Sequence, residues 1–364
     1  MKLRKNIIRM TSATLSAVLV GLGVFCVGER LPHYSDGSDA VLMAASLTMS
    51  KGGSEEYKEP EKKKKSASPS KKSEQKETEP ETSSEPSSSD FDSGYYNTFA
   101  DHSGYEKHPV YTQQYTAGGT KYENFYVKNN TDFDLNIGYS LNAPLGFEFE
   151  DTSDVQVLIY HTHTSESYLD CDVGYYYTDF YPRTSDNRYN VTRVGEAIAE
   201  QLRKRGIGVI HDTTSHDSTY TGSYYRSEAT VYSYIKKYPS IKVTLDIHRD
   251  SIGDDTYKVK PTFTYNGKNG AQIMIMSGYD PTGELGFPDW NYNLRFALRL
   301  QKKCETKYSG MTRPLDFGEF VYNMNINTGS LLIEVGTDSN TLDEAVYSGK
   351  LLGKALGELL QNSG

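Results

Sequence analysis

The sequence predicts an α/β fold, a mostly parallel sheet flanked by helices, and three observations carry that prediction. From Val155 onward, short apolar runs alternate with segments of helical periodicity, the pattern of strands joined by crossover helices. Several runs end in histidine, glutamate or aspartate, as strands do where an open α/β sheet binds its ligand. The chain has 364 residues, 36% of them hydrophobic and 30 of them tyrosine, enough for one sizeable core with extras.

The elements follow in chain order. Lys2, Arg4, Lys5 and Arg9 precede an apolar segment from about Ala13 to Val27, and no small-x-small cleavage site or good lipobox follows. Residues 1–30 are therefore expected to be an uncleaved N-terminal membrane anchor. The positive end stays inside, which leaves the rest of the chain extracytoplasmic. A second apolar patch, Ala40 to Leu47, is expected to lie on the membrane. Residues 31–94 read as a disordered charged linker: stretches such as Glu61-Lys-Lys-Lys-Lys-Ser66 cannot bury enough surface to offset their ordering entropy. Residues 95–154 read as a short β-rich N-terminal extension, with alternation in Phe125-Tyr-Val-Lys-Asn-Asn130. Residues 155–364 form the predicted catalytic domain.

Within that domain Val155 to Tyr160 is a buried strand. Val191, Val194, Ile198 and Leu202 make one helical stripe, stopped at Gly206. Ile207 to Ile210 is the next strand, and Val231, Ile235 and Tyr238 mark a helix ended by Pro239. Ile241, Val243, Leu245 and Ile247 alternate as a strand, with His248-Arg249-Asp250 expected just beyond its end. Gln272 to Met276 is a strand, Asn291 to Tyr308 a helix and Leu331 to Val335 a strand. A closing helix runs from about Leu342 to Leu360.

Composition excludes some functions. A net charge of −9, with basic residues clustered at the N-terminus and in the linker, gives no footprint for nucleic acid. Cys26, Cys171 and Cys304 are too few and too scattered for a disulfide framework or a zinc knuckle.

The chemistry gathers at three strand ends: His161, His163 and Glu166, then His248, then Glu334 inside Leu331-Leu-Ile-Glu-Val-Gly336. His163-x-x-Glu166 lets one imidazole and one carboxylate close on a single ion. Two histidines and a glutamate are a known catalytic zinc set that keeps one position open for water. His163 is taken as ligand for its Glu166 partner, and His161 is placed behind it. Singly, each histidine reads equally well as a satisfied core or loop residue. Glu334 is expected to be buried and to shuttle a proton from water to a leaving amine, which makes the set a metal-assisted amide hydrolase. Arg249 and Asp250 read either as a mutual salt bridge or as substrate contacts. His211-Asp212 and His216-Asp217 read as an exposed polar loop that could border the cleft. Tyr175-Tyr-Tyr177 and Tyr224-Tyr225 suit sugar or peptide stacking, or ordinary half-buried loop surface.

Val155-Gln-Val-Leu-Ile-Tyr-His-Thr-His-Thr-Ser-Glu-Ser-Tyr168 closely resembles the signature of the stage II sporulation protein P family. So do Tyr189-Asn-Val-Thr-Arg-Val-Gly195, Gly206-Ile-Gly-Val-Ile-His-Asp212, Asp246-Ile-His-Arg-Asp250 and Leu332-Ile-Glu-Val-Gly336. The resemblance covers about residues 121–364, including Tyr126-Val-Lys-Asn-Asn-Thr131, and the anchor and tether fit that family's layout. It implies a cell-wall hydrolase of endospore formers, similar in fold to zinc-dependent N-acetylmuramoyl-L-alanine amidases (amidase/carboxypeptidase-like). Its substrate would be peptidoglycan, with an endopeptidase activity on crosslinks also attributed to the family. The implied partners are stage II sporulation proteins D and M during forespore engulfment. By that resemblance the zinc histidines match His163 and His248, and the catalytic glutamate matches Glu334. The amidases place their glutamate ligand near the start of the helix after the first strand. Here that stretch reads Tyr189-Asn190-Val191, with no Glu until Glu196. The third ligand is therefore assigned to Glu166, from the His-x-x-Glu spacing of zinc carboxypeptidases.

The expectation is a membrane-anchored, extracytoplasmic zinc amidase: Zn2+ on His163, Glu166 and His248, Glu334 as base and then acid, His161, Arg249 and Asp250 in support. Its rivals are a zinc peptidase cutting only crosslinks and a non-catalytic module that binds peptidoglycan or partner proteins.

Overall fold

The computed structural model describes residues 95–150 and 153–361. The expected anchor and charged linker lie outside the described residues. Among those described, no helix is long and apolar enough to cross a membrane.

Among the described residues, thirteen strands and five α-helices follow one another. The strands are β1 (Lys107–Gln113), β2 (Thr120–Tyr122), β3 (Phe125–Asn129), β4 (Val155–Tyr160), β5 (Tyr175–Tyr177), β6 (Gly208–His211) and β7 (Val243–Asp250). They continue as β8 (Gly253–Asp254), β9 (Tyr257–Tyr265), β10 (Lys268–Ala271), β11 (Ile273–Gly278), β12 (Leu315–Gly318) and β13 (Ser330–Thr337). The helices are α1 (Ile137–Asn142), α2 (Thr192–Arg203), α3 (Ser223–Lys237), α4 (Trp290–Lys307) and α5 (Leu342–Gln361).

Eight strands form the main sheet in the order β2-β3-β12-β11-β13-β7-β4-β6. All neighbours are parallel except β2/β3 and β11/β13. The sheet is thus mixed α/β and mostly parallel. Its departure is β11, which was expected to run with its neighbours and instead lies antiparallel to β13. β4 and β13 flank β7, so the C-terminal ends of these three parallel strands share one edge.

Strand alternation assigns the two faces. Val157, Ile159, Val243, Leu245, Ile247, Leu331, Ile333 and Val335 point into the large core with Val194, Ile198 and Leu202 of α2 and Leu352 and Leu356 of α5. Leu158 and Tyr160 point the other way, onto Val231 of α3, as Leu332 points onto Phe287 and Met324. Both faces of the central strands are therefore covered, which is why they read as continuous apolar runs. Each fully buried aliphatic side chain there contributes about 1.5–3 kcal/mol. The turn after α2 uses Gly206 at φ +77°, the left-handed conformation the sequence assigned to it.

Two boundaries differ from expectation. β7 does not stop at Ile247: it stays paired with β13 out to Asp250 opposite Thr337, so His248, Arg249 and Asp250 lie within the strand. A second sheet, β10-β9-β1-β5 with β8 on β9, was not anticipated. Apart from β9, whose middle is buried, its strands are short or largely exposed, and β1 finds its partner β9 some 150 residues away in sequence.

Candidate functional site

β7 and β13 set Glu334 directly opposite His248 across a parallel pair. Because Ile247, Ile333 and Val335 fill the main core, His248 and Glu334 both face the opposite side of the sheet, and Asp246 faces it with them. β4 delivers His163 from the neighbouring strand end, and a turn in which the Glu166 N–H donates to the His163 carbonyl (3.1 Å) brings the carboxylate back. Asp246 holds the connecting residue: it accepts from the Thr162 N–H at 2.8 Å and from Thr162 Oγ1 at 2.6 Å.

The four principal side chains converge. Glu166 Oε2 lies 3.4 Å from His248 Nδ1 and accepts from the Arg249 N–H at 3.1 Å. The His163 and His248 rings meet edge to face at 5.4 Å. His163 stacks on Tyr220, centroids 4.6 Å apart and planes within 5°, and Tyr224 closes over both imidazoles. All four are buried, Glu334 the most exposed at 7%. Three of their buried atoms have no hydrogen-bond partner, His163 Nδ1, His248 Nε2 and Glu334 Oε2. His248 Nε2 sits 2.9 Å from Asp246 Oδ1, yet off the line of a hydrogen bond.

The environment separates the protonation states. Burial pushes the His163 imidazole down to about 4, so it is neutral at pH 7 and able to donate a lone pair. Burial works against ionised Glu166, but Arg249, then His248 and His163, outweigh it and hold the carboxyl below its usual range. Burial likewise opposes a charged His248, and Asp246 followed by Glu166 overcomes it and raises the imidazole. Burial pushes Glu334 up to about 8; His248 opposes this while Asp250 and Glu166 add to it. One carboxylate is thus held ionised and its neighbour protonated, the division an acid/base site requires.

Among the described residues, no group of three or more His, Cys, Asp or Glu side chains stands arranged to hold a metal ion. The donor types nevertheless suit zinc: a neutral imidazole with a bare buried Nδ1, an ionised carboxylate and a second imidazole beside it. Two carboxylates now hold a proton on His248, and a cation bound there would replace that proton.

The remaining expected residues fall as follows. His161 is fully buried; its Nδ1–H donates to the Ile247 carbonyl at 2.8 Å, and its Nε2 meets His211 Nε2 at 3.0 Å. His211 Nδ1 in turn bonds Glu196 Oε2 at 2.9 Å. Arg249 and Asp250 do not pair, since adjacent strand residues face opposite ways. Arg249 donates to the Ser167 and Pro182 carbonyls and lies 3.8 Å from Glu166, whereas Asp250 pairs with Arg313 at 2.7 Å.

The segment from His211 to Asp217 is an exposed polar loop only at Thr213, Thr214 and Ser215. His216, Asp212 and the Asp217 carboxylate are buried. His216 Nδ1–H donates to the His161 carbonyl at 2.8 Å, and the loop packs against the turn that carries His163 and Glu166. The buried members are inside because each has a protein partner, which composition alone cannot reveal.

Three residues in contact with the site were not singled out from the sequence. Asp246 carried a signal, a carboxylate two residues before His248 on an alternating strand. Arg183, 3.7 Å from Glu166, and Tyr220 carried none, because loops bring them in.

The family model described as Stage II sporulation protein P matches residues 27–357. Stage II sporulation protein P of Bacillus subtilis (strain 168) is 30% identical over 210 residues, covering 54% of this chain and 49% of that protein. The chain spans about half the length of that relative. Similar solved structures include N-acetylmuramoyl-L-alanine amidase AmiC2 of Nostoc punctiforme, 11% identical with a TM-score of 0.34 over 58% of this chain and 98% of that one. Another is the CwlD amidase from Clostridioides difficile in complex with the GerS lipoprotein, 12% identical with a TM-score of 0.34 over 57% and 98%. Likenesses at this level carry no inference about chemistry.

Proposed function

The chain belongs to the stage II sporulation protein P family, and on that premise we propose that it is a zinc-dependent N-acetylmuramoyl-L-alanine amidase of the sporulation cell wall. It cleaves the amide between N-acetylmuramic acid and the L-alanine of the stem peptide, and acts as an endopeptidase on crosslinks. It works outside the cytoplasm from an N-terminal anchor, with stage II sporulation proteins D and M as partners in engulfment.

The observation that supports this reading is the convergence of His163, Glu166, His248 and Glu334, with His163 Nδ1 and Glu334 Oε2 buried and unpartnered. His163, Glu166 and His248 would hold the zinc. The ion supplies an acidified water and a polarised carbonyl. Glu334 takes the proton from that water and returns it to the departing amine nitrogen, a role suited to a carboxyl lifted towards neutrality. Asp246 orients His248, Tyr220 fixes the plane of His163, and Tyr224 keeps water from the imidazoles.

The test is digestion of purified peptidoglycan with and without chelator, the products read by mass spectrometry. Chelator-sensitive release of peptides that begin at L-alanine is the expected result; shortened peptides on intact muropeptides would instead leave only the endopeptidase. One observation favours a second reading, a non-catalytic module that binds peptidoglycan or partner proteins: the acidic and imidazole groups engage one another and are not grouped for a metal. Binding to sacculi without any release of peptide, even with a partner added, would put that reading first.

A further inference from the structure

A cleft of about 330 Å³ opens beside the candidate ligands, lined in part by Tyr181, Arg183, Thr184, Ser185, Asp217 and Tyr220. It adjoins the site at two places. Tyr220 is the ring stacked on His163, and Arg183 Nη2 lies 3.7 Å from Glu166 Oε1. Its wall is tied to the ligand turn by backbone bonds: Ser167 N–H donates to the Pro182 carbonyl at 3.1 Å, and Thr184 N–H to the Ser165 carbonyl at 2.8 Å. Cleft and turn therefore form one rigid unit.

The chemistry of the wall selects its ligand. Arg183 Nη1 donates to Asp217 Oδ2 at 3.0 Å, so the two fixed charges neutralise each other. Neither an anionic nor a cationic ligand has an unspent counter-charge here. What remains is a set of hydroxyls (Thr184, Ser185) and the Tyr181 ring, since the Tyr220 ring is engaged by His163 and Arg183. Tyr181 stands at the rim, 71% exposed, an aromatic face left to solvent beside a concave polar surface. Stacking faces and neutral hydroxyls complement a pyranose, whose rings present apolar C–H faces and equatorial hydroxyl or amide groups. The volume sits at the small end of the ~300–1,000 Å³ range of ligand sites, room for about one sugar ring.

We propose that this cleft is a subsite for a neutral N-acylated pyranose of a glycan strand, held against Tyr181. It rests on the peptidoglycan reading above. It adds that the sugar side of the scissile bond lies toward Arg183. Tyr181 would then be a specificity-determining residue.

The test is calorimetric titration of the full chain with tetra-N-acetylchitotetraose, a peptide-free probe, and in parallel with a free stem tetrapeptide. The wild type is expected to bind the sugar, and Tyr181→Ala about tenfold more weakly. Tyr181→Phe, which keeps the ring, should bind as the wild type does, and the peptide titration should be unaffected by either change. Equal sugar binding by Tyr181→Ala and the wild type overturns the subsite, as does a folded wild type that ignores the sugar. Chelator-sensitive cleavage alongside absent sugar binding defeats the subsite and spares the amidase. Sugar binding that depends on Tyr181 without any cleavage defeats the amidase and spares the subsite.

Discussion

Replacing Glu334 by glutamine should stabilise the metal-free protein at alkaline pH and leave it little changed at acid pH. Burial pushes this carboxyl from an ordinary 4.5 up to about 8 in the folded state. Between those two values the folded chain holds a proton that the unfolded chain releases. The contribution of Glu334 to stability is therefore fully present below the unfolded value and lost as pH rises towards 8. One pKa unit is about 1.4 kcal/mol, so from pH 5 to pH 8 the wild type should lose roughly 3 kcal/mol relative to Glu334→Gln. The glutamine amide group that takes the place of Oε2 also lacks a partner, but that cost does not vary with pH and cancels in the comparison. The assay is urea unfolding in chelator at both pH values, followed by the fluorescence of Trp290. It is the only tryptophan, and it packs against Phe133 and Tyr279. Parallel stability curves for the two proteins would refute the argument that burial keeps Glu334 protonated.

Three further outcomes are expected. His163→Ala and His248→Ala should each lose both bound zinc and peptidoglycan cleavage, whereas Glu334→Gln keeps zinc and loses cleavage; metal content by plasma mass spectrometry beside product analysis separates them. Asp246→Asn removes the charge beside His248 while keeping most of the bonds to Thr162, and should weaken zinc binding about 10- to 100-fold, read by competition with a chromogenic chelator. Gly195→Ala places a Cβ 2.6 Å from Nε2 of both His161 and His211, too close to be accommodated. It should cost about 1–3 kcal/mol in urea unfolding; an unchanged midpoint would mean that the imidazole pair moves freely.

The parts of the fold that were legible are those where a local period meets a fully buried face. Val155–Tyr160 emerged with its predicted bounds, and α2 and α5 lie within two residues of theirs, because each repeats one hydrophobic stripe that only one face can absorb. The three strand ends that carry His163, His248 and Glu334 were readable for the same reason. The second sheet was not, since β1 is joined to β9 from far away in sequence, and only β8 and β10 pair with β9 locally. The loop residues Arg183 and Tyr220 were invisible because loops have no period, and His216 and Asp217 misled because their polar partners are supplied by other loops.

The chain of bonds behind the site imposes a count of protons. From the Ile247 carbonyl through His161 and His211 to Glu196 there are three links in a row, and each needs one hydrogen. Two neutral imidazoles supply only two. A complete chain would need a third, yet burial lowers the His211 imidazole, and at Glu196 burial is outweighed by the bonds to His211 and Arg203, which lower the carboxyl too. One link is therefore slack at neutral pH, and the ends are not equivalent. Ile247 and His161 are sealed from solvent, whereas the Glu196 side chain is 37% exposed and can take water in place of the imidazole. The slack thus falls at the outer end and leaves the inner imidazole, with the strand it grips, in place.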